Sequence, residues 1–345
     1  MDRSQELNGA RSVTDTGEAA TITSLRRAGI ARDGQPVTLT PLSGGVSCDV
    51  WLARIGDEAP VVVKRALPQL RVAAEWLAPV ERAENEVRWL RYAGRIDARL
   101  VPEVVAEVPD EHLFALAYLE PDAHPVWRDE LIAGRVDPAF ARGLGRDLAR
   151  IHAATADDAR TAADFDSMDL FEALRISPFL RYVAANRPEV AARLDAIADD
   201  LEGRRMALVH GDVSPKNILC GPQGGVFLDA ECAVYGDPAF DLAFCTTHLL
   251  LKTIWLAPHA GALNQAAAAF VADYLAGVTW EPRAALAARA GALVAALLLA
   301  RVEGKSPAPY LDDAAKQVVR ARALALLAGD TPAIDQLIAD WPKEH

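Results

Sequence analysis

The chain has 345 residues, 51% of them hydrophobic and 24% charged, with a formal net charge of −12. That length and apolar content suit two bodies with substantial cores and exclude global disorder. The acidic balance argues against tracking a phosphate backbone, so no nucleic-acid partner is expected.

In chain order, residues 1–17 are polar and carry no cationic-then-apolar signal pattern, and they read as a disordered tail. A short helix is expected over 22–28, then strands near 36–41, 46–54 and 60–66. Between the first two strands, Ser43-Gly44-Gly45 fits a tight turn. Its glycines would let backbone N–H groups approach phosphates, although the same string also describes an ordinary hairpin. It matches neither the Gly-x-Gly-x-x-Gly nor the Walker A pattern. Val61-Val62-Val63-Lys64 is β-branched and apolar, then abruptly cationic. Such a lysine either brings an ammonium to the end of a buried face or snorkels at the surface. The helix expected over 80–92 offers three acids, Glu81, Glu84 and Glu86. Glu84 shares a face with Arg88 and Arg91, as in a solvated ion-pair ladder, whereas Glu86 lies on the side of Ala83 and Leu90, near the inward stripe.

Strands near 103–107 and 113–118 follow, and then the periodicity turns helical. Helices are expected over 137–154, 168–186, 188–202, 238–256, 262–276, 282–302, 311–328 and 332–340. The first has Phe140, Leu144, Leu148 and Ile151 on one stripe, and His152 beside it reads as a core or cap histidine. Ala284–Ala300 is apolar but interrupted by Arg289 and falls short of a membrane span, so it reads as a buried helix and no membrane role is expected. Strands first and helices afterwards imply a bilobal α+β fold, with lobes of 18–118 and 119–345 and a site in the cleft between them. Cys48, Cys220, Cys232 and Cys245 have no C-x-x-C spacing and read as reduced thiols of a cytoplasmic protein, with no zinc site.

The most informative segment is ALVHGDVSPKNILCGPQGGVFLDAECAVYGDPAFD, residues 207–241. A short apolar run delivers His210 to a loop; 217–220 and 226–229 read as paired strands around the turn-forming Gly221-Pro222-Gln223-Gly224-Gly225. A hairpin fixes the distance between its ends, so Asp212, Asn217 and Asp229 come to one edge. An acid able to accept a hydroxyl proton then sits beside two oxygen ligands for Mg2+, the arrangement that phosphoryl transfer from ATP needs.

His210-Gly211-Asp212-Val213-Ser214-Pro215-Lys216-Asn217 resembles the catalytic loop of the aminoglycoside phosphotransferase and choline kinase superfamily, small-molecule kinases with a protein-kinase-like fold. The resemblance implies a catalytic Asp212, with Asn217 and Asp229 holding magnesium. Asp229-x-Glu231 resembles the pair of 5-methylthioribose kinases, which makes Glu231 a further metal ligand or an anchor behind one. His210 would orient the loop, and Asp241 would brace it. Ser43, Gly44 and Gly45 would form the ATP lid, and Lys64, held by Glu86, would meet the α- and β-phosphates. The backbone from Ala117 to Leu119 would form a hinge against the adenine edge. VVVKRALPQLRVAAEWLAPVERAENEV and YLEPDAHPVWRDELIAG are also similar to methylthioribose kinase segments. The Gly turn departs from the Gly-Asn-type lid of those enzymes, and the catalytic loop is closer to the general aminoglycoside-kinase pattern.

For the acceptor, a small-molecule hydroxyl, the resemblance favours a sugar or sugar-like alcohol. A cationic aminoglycoside is the alternative if the acids Asp157, Asp158, Asp164, Asp166 and Asp169 line the cleft instead of a solvated loop. Arg301 and Lys305 either bind the acceptor or meet a helix C-terminus, and Trp127 and Arg128 would close over it. A nucleotide-binding pseudokinase is the rival of another class; an intact Lys, Asp, Asn and Asp set speaks against it. A monomer or homodimer is expected.

Overall fold

The computed structural model describes residues 18–42, 48–67 and 79–342. The Gly turn with Ser43, Gly44 and Gly45, the 68–78 part of the lysine-strand resemblance and the 1–17 tail lie outside them. The chain divides into two compact units. One holds the residues up to Arg91 together with Pro102–Leu119, and the other holds Tyr92–Val101 and the residues from Glu120 onward.

The first unit is built on an antiparallel sheet of strands β1 (Val37–Pro41), β2 (Cys48–Ile55), β3 (Val61–Ala66), β4 (Val104–Val108) and β5 (Leu113–Ala117), in the order β1-β2-β3-β5-β4. Side chains alternate between the two faces of a strand. Val61 and Val63 therefore join Leu39, Ala53, Ile55, Leu113 and Ala115 in one core, closed by Leu25 of a helix over 18–27. Full burial of each such aliphatic side chain contributes about 1.5–3 kcal/mol. The same alternation turns Lys64 to the other face, where it pairs in register with Phe114 of β5. The helix Arg82–Ile96 buries Ala83, Glu86, Val87, Trp89, Leu90 and Ala93.

The second unit is mostly helical. Pro138–Thr155 starts at an Asp137 cap, whose carboxylate accepts the Ala139 N–H at 2.8 Å, and it buries Leu144, Leu148 and Ile151. At Gly145 the backbone of Phe270, on helix Ala260–Gly277, comes so close that no Cβ fits. The helix Arg283–Glu303 is long and apolar enough to cross a membrane, yet 78% of its apolar window is buried inside the protein, as expected of a core helix that is apolar on every side. The single helix expected over 168–186 is instead three joined pieces: Met168–Phe171, a π-helical stretch Glu172–Arg181, and Tyr182–Asn186. Pro178 lies inside the π-helical stretch. It has no N–H to donate and cannot sit in a regular i→i−4 ladder, so the register widens there.

Candidate active site

In the first unit, Lys64 Nζ lies 2.7 Å from both carboxylate oxygens of Glu86. Lys64 is 7% exposed and Glu86 only 1%. The ammonium also sits 5.6 Å from the centre of the Phe114 ring. Of the three candidate acids, Glu86 thus makes the buried pair, while Glu84 approaches His112 Nδ1 at 3.6 Å and Arg91 pairs with Glu107 at 2.7 Å. The amide of Ala117, expected at the hinge, donates to the Glu103 carbonyl at 2.9 Å.

In the second unit the loop 210–217 runs from β6 (Ala207–Val209), which pairs with β9 (Val234–Gly236), to the hairpin of β7 (Ile218–Gly221) and β8 (Gly224–Phe227). The turn of this hairpin is two residues, Pro222 and Gln223, tighter than the five expected, because Gly221 and Gly224 themselves pair. Three sets of hydrogen bonds hold the loop. Asp241 Oδ2 and Oδ1 accept the N–H groups of His210 at 2.7 Å and Gly211 at 2.8 Å. His210 Nδ1 accepts the Asp212 N–H at 3.1 Å while Nε2 donates to the Leu228 carbonyl at 3.1 Å. The imidazole bonded in this way is neutral, and burial lowers its pKa accordingly. Asn217 Nδ2 donates to the Asp212 carbonyl at 3.1 Å, and the Asn217 carbonyl accepts the Leu228 N–H at 2.9 Å. His152 is fully buried and reaches Asp241 at 3.3 Å and the Tyr274 hydroxyl at 2.7 Å, so it supports the brace from below.

These bonds tie Asn217 to Asp212 directly and to Leu228, the residue before Asp229. Asp212 is 5% exposed and lies 3.1 Å from Arg175 Nη2 and 3.1 Å from Lys216 Nζ. Arg175 is anchored in turn by its Nε, which donates to the Gly211 carbonyl at 2.5 Å, and it feels the charges of Asp212, Glu231 and Asp229. Asp229 has φ +68, a backbone conformation that L-residues rarely adopt and that tends to persist where a site demands it. The residue types could suit a hard divalent cation: Asn217, whose Nδ2 is engaged by the Asp212 carbonyl, would offer its amide oxygen, and Asp229 and Glu231 would offer carboxylates. Gly211 has φ +80, and a Cβ there would meet the Cys232 carbonyl at 2.6 Å. We expect Gly211→Ala to lower stability by about 1–3 kcal/mol, read as a fall in melting temperature, and to lower activity with it. An unchanged melting temperature would show that the loop relaxes at no cost.

The remaining candidates fall elsewhere in the second unit. Trp127 is 2% exposed and packs edge-on to Phe140, with ring centres 5.4 Å apart. It also lines a concavity of about 370 Å3 with Glu130, Arg135, Asp137 and Cys220, which includes none of the loop residues. Arg128 is half-exposed and pairs with Asp129 at 2.7 Å. Lys305 is exposed over the Tyr182 ring at 5.8 Å, whereas Arg301 is buried and donates to Ser306. Two members of the acidic run act locally: Asp158 caps helix Ala159–Asp164 through the Thr161 N–H at 2.9 Å, and Asp164 accepts the Tyr92 hydroxyl. Burial pushes the Cys220 thiol up to about 12, far from a reactive thiolate. Arg175 was not singled out from the sequence. Its signal was a lone cation between Leu174 and Ile176 in an otherwise apolar helical run.

Comparison with known proteins adds to this geometry. Over 228 residues the chain is 30% identical to the methylthioribose kinase of Escherichia coli O45:K1 (strain S88 / ExPEC), covering 57% of this chain and 53% of that protein. The chain thus spans about half the length of this curated relative. A macrolide 2′-phosphotransferase from Brachybacterium faecium superposes with a TM-score of 0.51 at 21% identity, over 88% of this chain and 97% of that one. An amicoumacin kinase in complex with AMP-PNP, Ca2+ and Ami does so with a TM-score of 0.56 at 15% identity, over 88% and 90%. At these identities the structural likeness bears on the α+β fold alone. The family model described as the phosphotransferase enzyme family matches residues 38–269, a span that takes in both the lysine strand and the 210–217 loop, and the chain belongs to that family.

Proposed function

We propose that the protein is an ATP-dependent kinase that phosphorylates a hydroxyl of a small molecule, with Asp212 as the catalytic residue. The observation that supports this reading is the hydrogen-bonded loop that ties Asn217 to Asp212 and to Leu228, the residue before Asp229, with Arg175 3.1 Å from Asp212. Asp212 orients the acceptor hydroxyl and takes its proton as the oxygen attacks. Asn217 and Asp229, with Glu231, would hold Mg2+, which supplies charge neutralisation on the phosphates. Lys64, fixed by Glu86, supplies a positive contact for the nucleotide phosphates, and the backbone from Ala117 to Leu119 its adenine edge. Ser43, Gly44 and Gly45 complete the nucleotide contacts in this reading.

For the acceptor we favour a sugar or sugar-like alcohol, a preference supported by the similarity to a methylthioribose kinase over part of its length. The cationic aminoglycoside alternative required the acidic run as its surface. The capping role of Asp158 and the bond of Asp164 to Tyr92 favour a local use of those acids instead. ADP release measured across sugars, amino alcohols, choline and aminoglycosides tests this. Turnover with a sugar or sugar-like alcohol, charged or neutral, is the expected result, and strong product with kanamycin-like compounds and none with sugars or sugar-like alcohols would overturn the acceptor preference.

A further inference from the structure

Behind Asp212 the second unit buries more positive charge than the loop accounts for. Helix Ala239–Trp255 carries Phe244, His248 and Lys252 at successive i+4 positions, hence on one face. Arg301 ends helix Arg283–Glu303. Arg175 and Phe179 come from the π-helical stretch. The groups interleave: Phe179 has Arg175 and Arg301 each 5.9 Å from its ring centre, Arg175 also lies 5.7 Å from that of Phe244, and Lys252 Nζ sits 5.1 Å from that of Tyr310. Lys252 is 3% exposed, Arg301 9% and His248 7%.

The charges in this cluster do not balance. Asp212 already pairs with Arg175 and Lys216. Among the described residues, neither Arg301 nor Lys252 makes an ion pair with any carboxylate. Arg301 Nε and the Tyr310 hydroxyl also have no hydrogen-bond partner among the described residues. Cations taken out of water are stable only when paired and hydrogen-bonded. This protein leaves these two without a carboxylate partner, Arg301 bonding only Ser306 through Nη1 and feeling the charge of Asp212. The Lys252 ammonium is pushed down to about 8, first by burial and then by Arg301, so it keeps most of its charge at neutral pH. Burial, with Arg301 and Lys252 adding to it, holds His248 well below the usual histidine range and therefore neutral. A buried cationic cluster without a matching carboxylate is unsuited to an aminoglycoside or to choline, and suited to an anion.

We infer that Arg301, Lys252 and the Tyr310 hydroxyl form the acceptor subsite for an anionic group, so that the small molecule phosphorylated carries a carboxylate or a phosphate beside its reactive hydroxyl. This rests on the kinase reading and narrows its substrate class. The pair sorts acceptors by charge, while the hydroxyl end is left to Asp212.

The test measures ADP release with glycerate, gluconate, glycerol 3-phosphate, ribose, choline and kanamycin, using wild type, Lys252→Met and Arg301→Met. Wild type is expected to turn over one or more of the anionic compounds and to reject choline and kanamycin. Either variant should raise the KM for the anionic acceptor by ~10-fold or more while the KM for ATP stays put, a split that separates an acceptor anion from a nucleotide phosphate. Preference for a cationic or neutral acceptor, or variants with unchanged acceptor KM, overturns the inference and leaves the kinase reading standing. Failure of ATP to raise the wild-type melting temperature, with no ADP release in any arm, overturns the kinase reading itself. A second measurement needs no acceptor. Inorganic phosphate without nucleotide should raise the melting temperature of wild type and not that of Lys252→Met, and equal shifts or none overturn the inference. Without any anion, Lys252→Met should melt at or above wild type, because it removes an uncompensated buried charge. A lower melting temperature would assign Lys252 a structural role and reject the subsite.

Discussion

Asp212→Ala is expected to lower turnover by at least ~10²-fold while ATP still binds, the loss typical of a positioned acid/base. The side chain sits at the end of a rigid chain of bonds: Asp241 holds the two preceding amides, His210 accepts its own N–H, and Asn217 grips its carbonyl. Little of that scaffold depends on the carboxylate, so nucleotide contacts should survive its removal. The carboxylate does balance Arg175 and Lys216. Its loss leaves the buried Arg175 guanidinium short of a counter-charge, and a stability penalty of about 3–5 kcal/mol accompanies such a broken buried pair. Asp212→Asn removes the same charge but keeps the shape and an acceptor oxygen, so it separates the loss of charge from the loss of side-chain volume. Turnover, KM for ATP and melting temperature should be measured for both variants. A loss of ATP affinity with unchanged turnover would remove Asp212 from the acid/base role.

Why some of this architecture was legible in the amino-acid order, and some was not, follows from the range of the forces involved. The lysine strand could be read because β alternation is a local rule: Val61 and Val63 go to one core, so Lys64 must face the other way. Helical phase then separated Glu86 from Glu84, and Glu86 is the acid whose carboxylate lies 2.7 Å from Lys64 Nζ. The strand–turn–strand after the 210–217 loop was equally local, although its turn contracted to two residues once the glycines paired. What escaped depended on contacts distant in sequence. Arg175 meets Asp212 across 37 positions, and nothing in its own neighbourhood states that pairing. Composition left the acidic run open between a cleft surface and a solvated loop, whereas a cap at Asp158 and a tyrosine bond at Asp164 are separate local uses. Pro178 is a reminder that a helical period can be right while the ladder beneath it is not.

The second large effect is expected at Lys64. A buried ion pair is poor value as a stabilising device, since well-packed apolar residues of similar volume often do as well or better, whereas removing one partner costs about 3–5 kcal/mol. Lys64 and Glu86 are both nearly inaccessible and sit on the sheet face opposite the main aliphatic core, where an apolar pair could also pack. Glu86→Gln should therefore lower the melting temperature, because it takes away the counter-charge held against the ammonium. The double variant Lys64→Met with Glu86→Leu should recover most of that loss. Activity should behave differently: Lys64→Ala, Lys64→Met and the double variant should all raise the KM for ATP, lower kcat, or both, since in none of them does an ammonium meet the phosphates. Recovery of stability without recovery of activity would assign the pair to nucleotide handling. If KM for ATP and kcat are unchanged in Lys64→Ala, Lys64 has no part in the site, and the pair is a structural contact of the sheet and its helix.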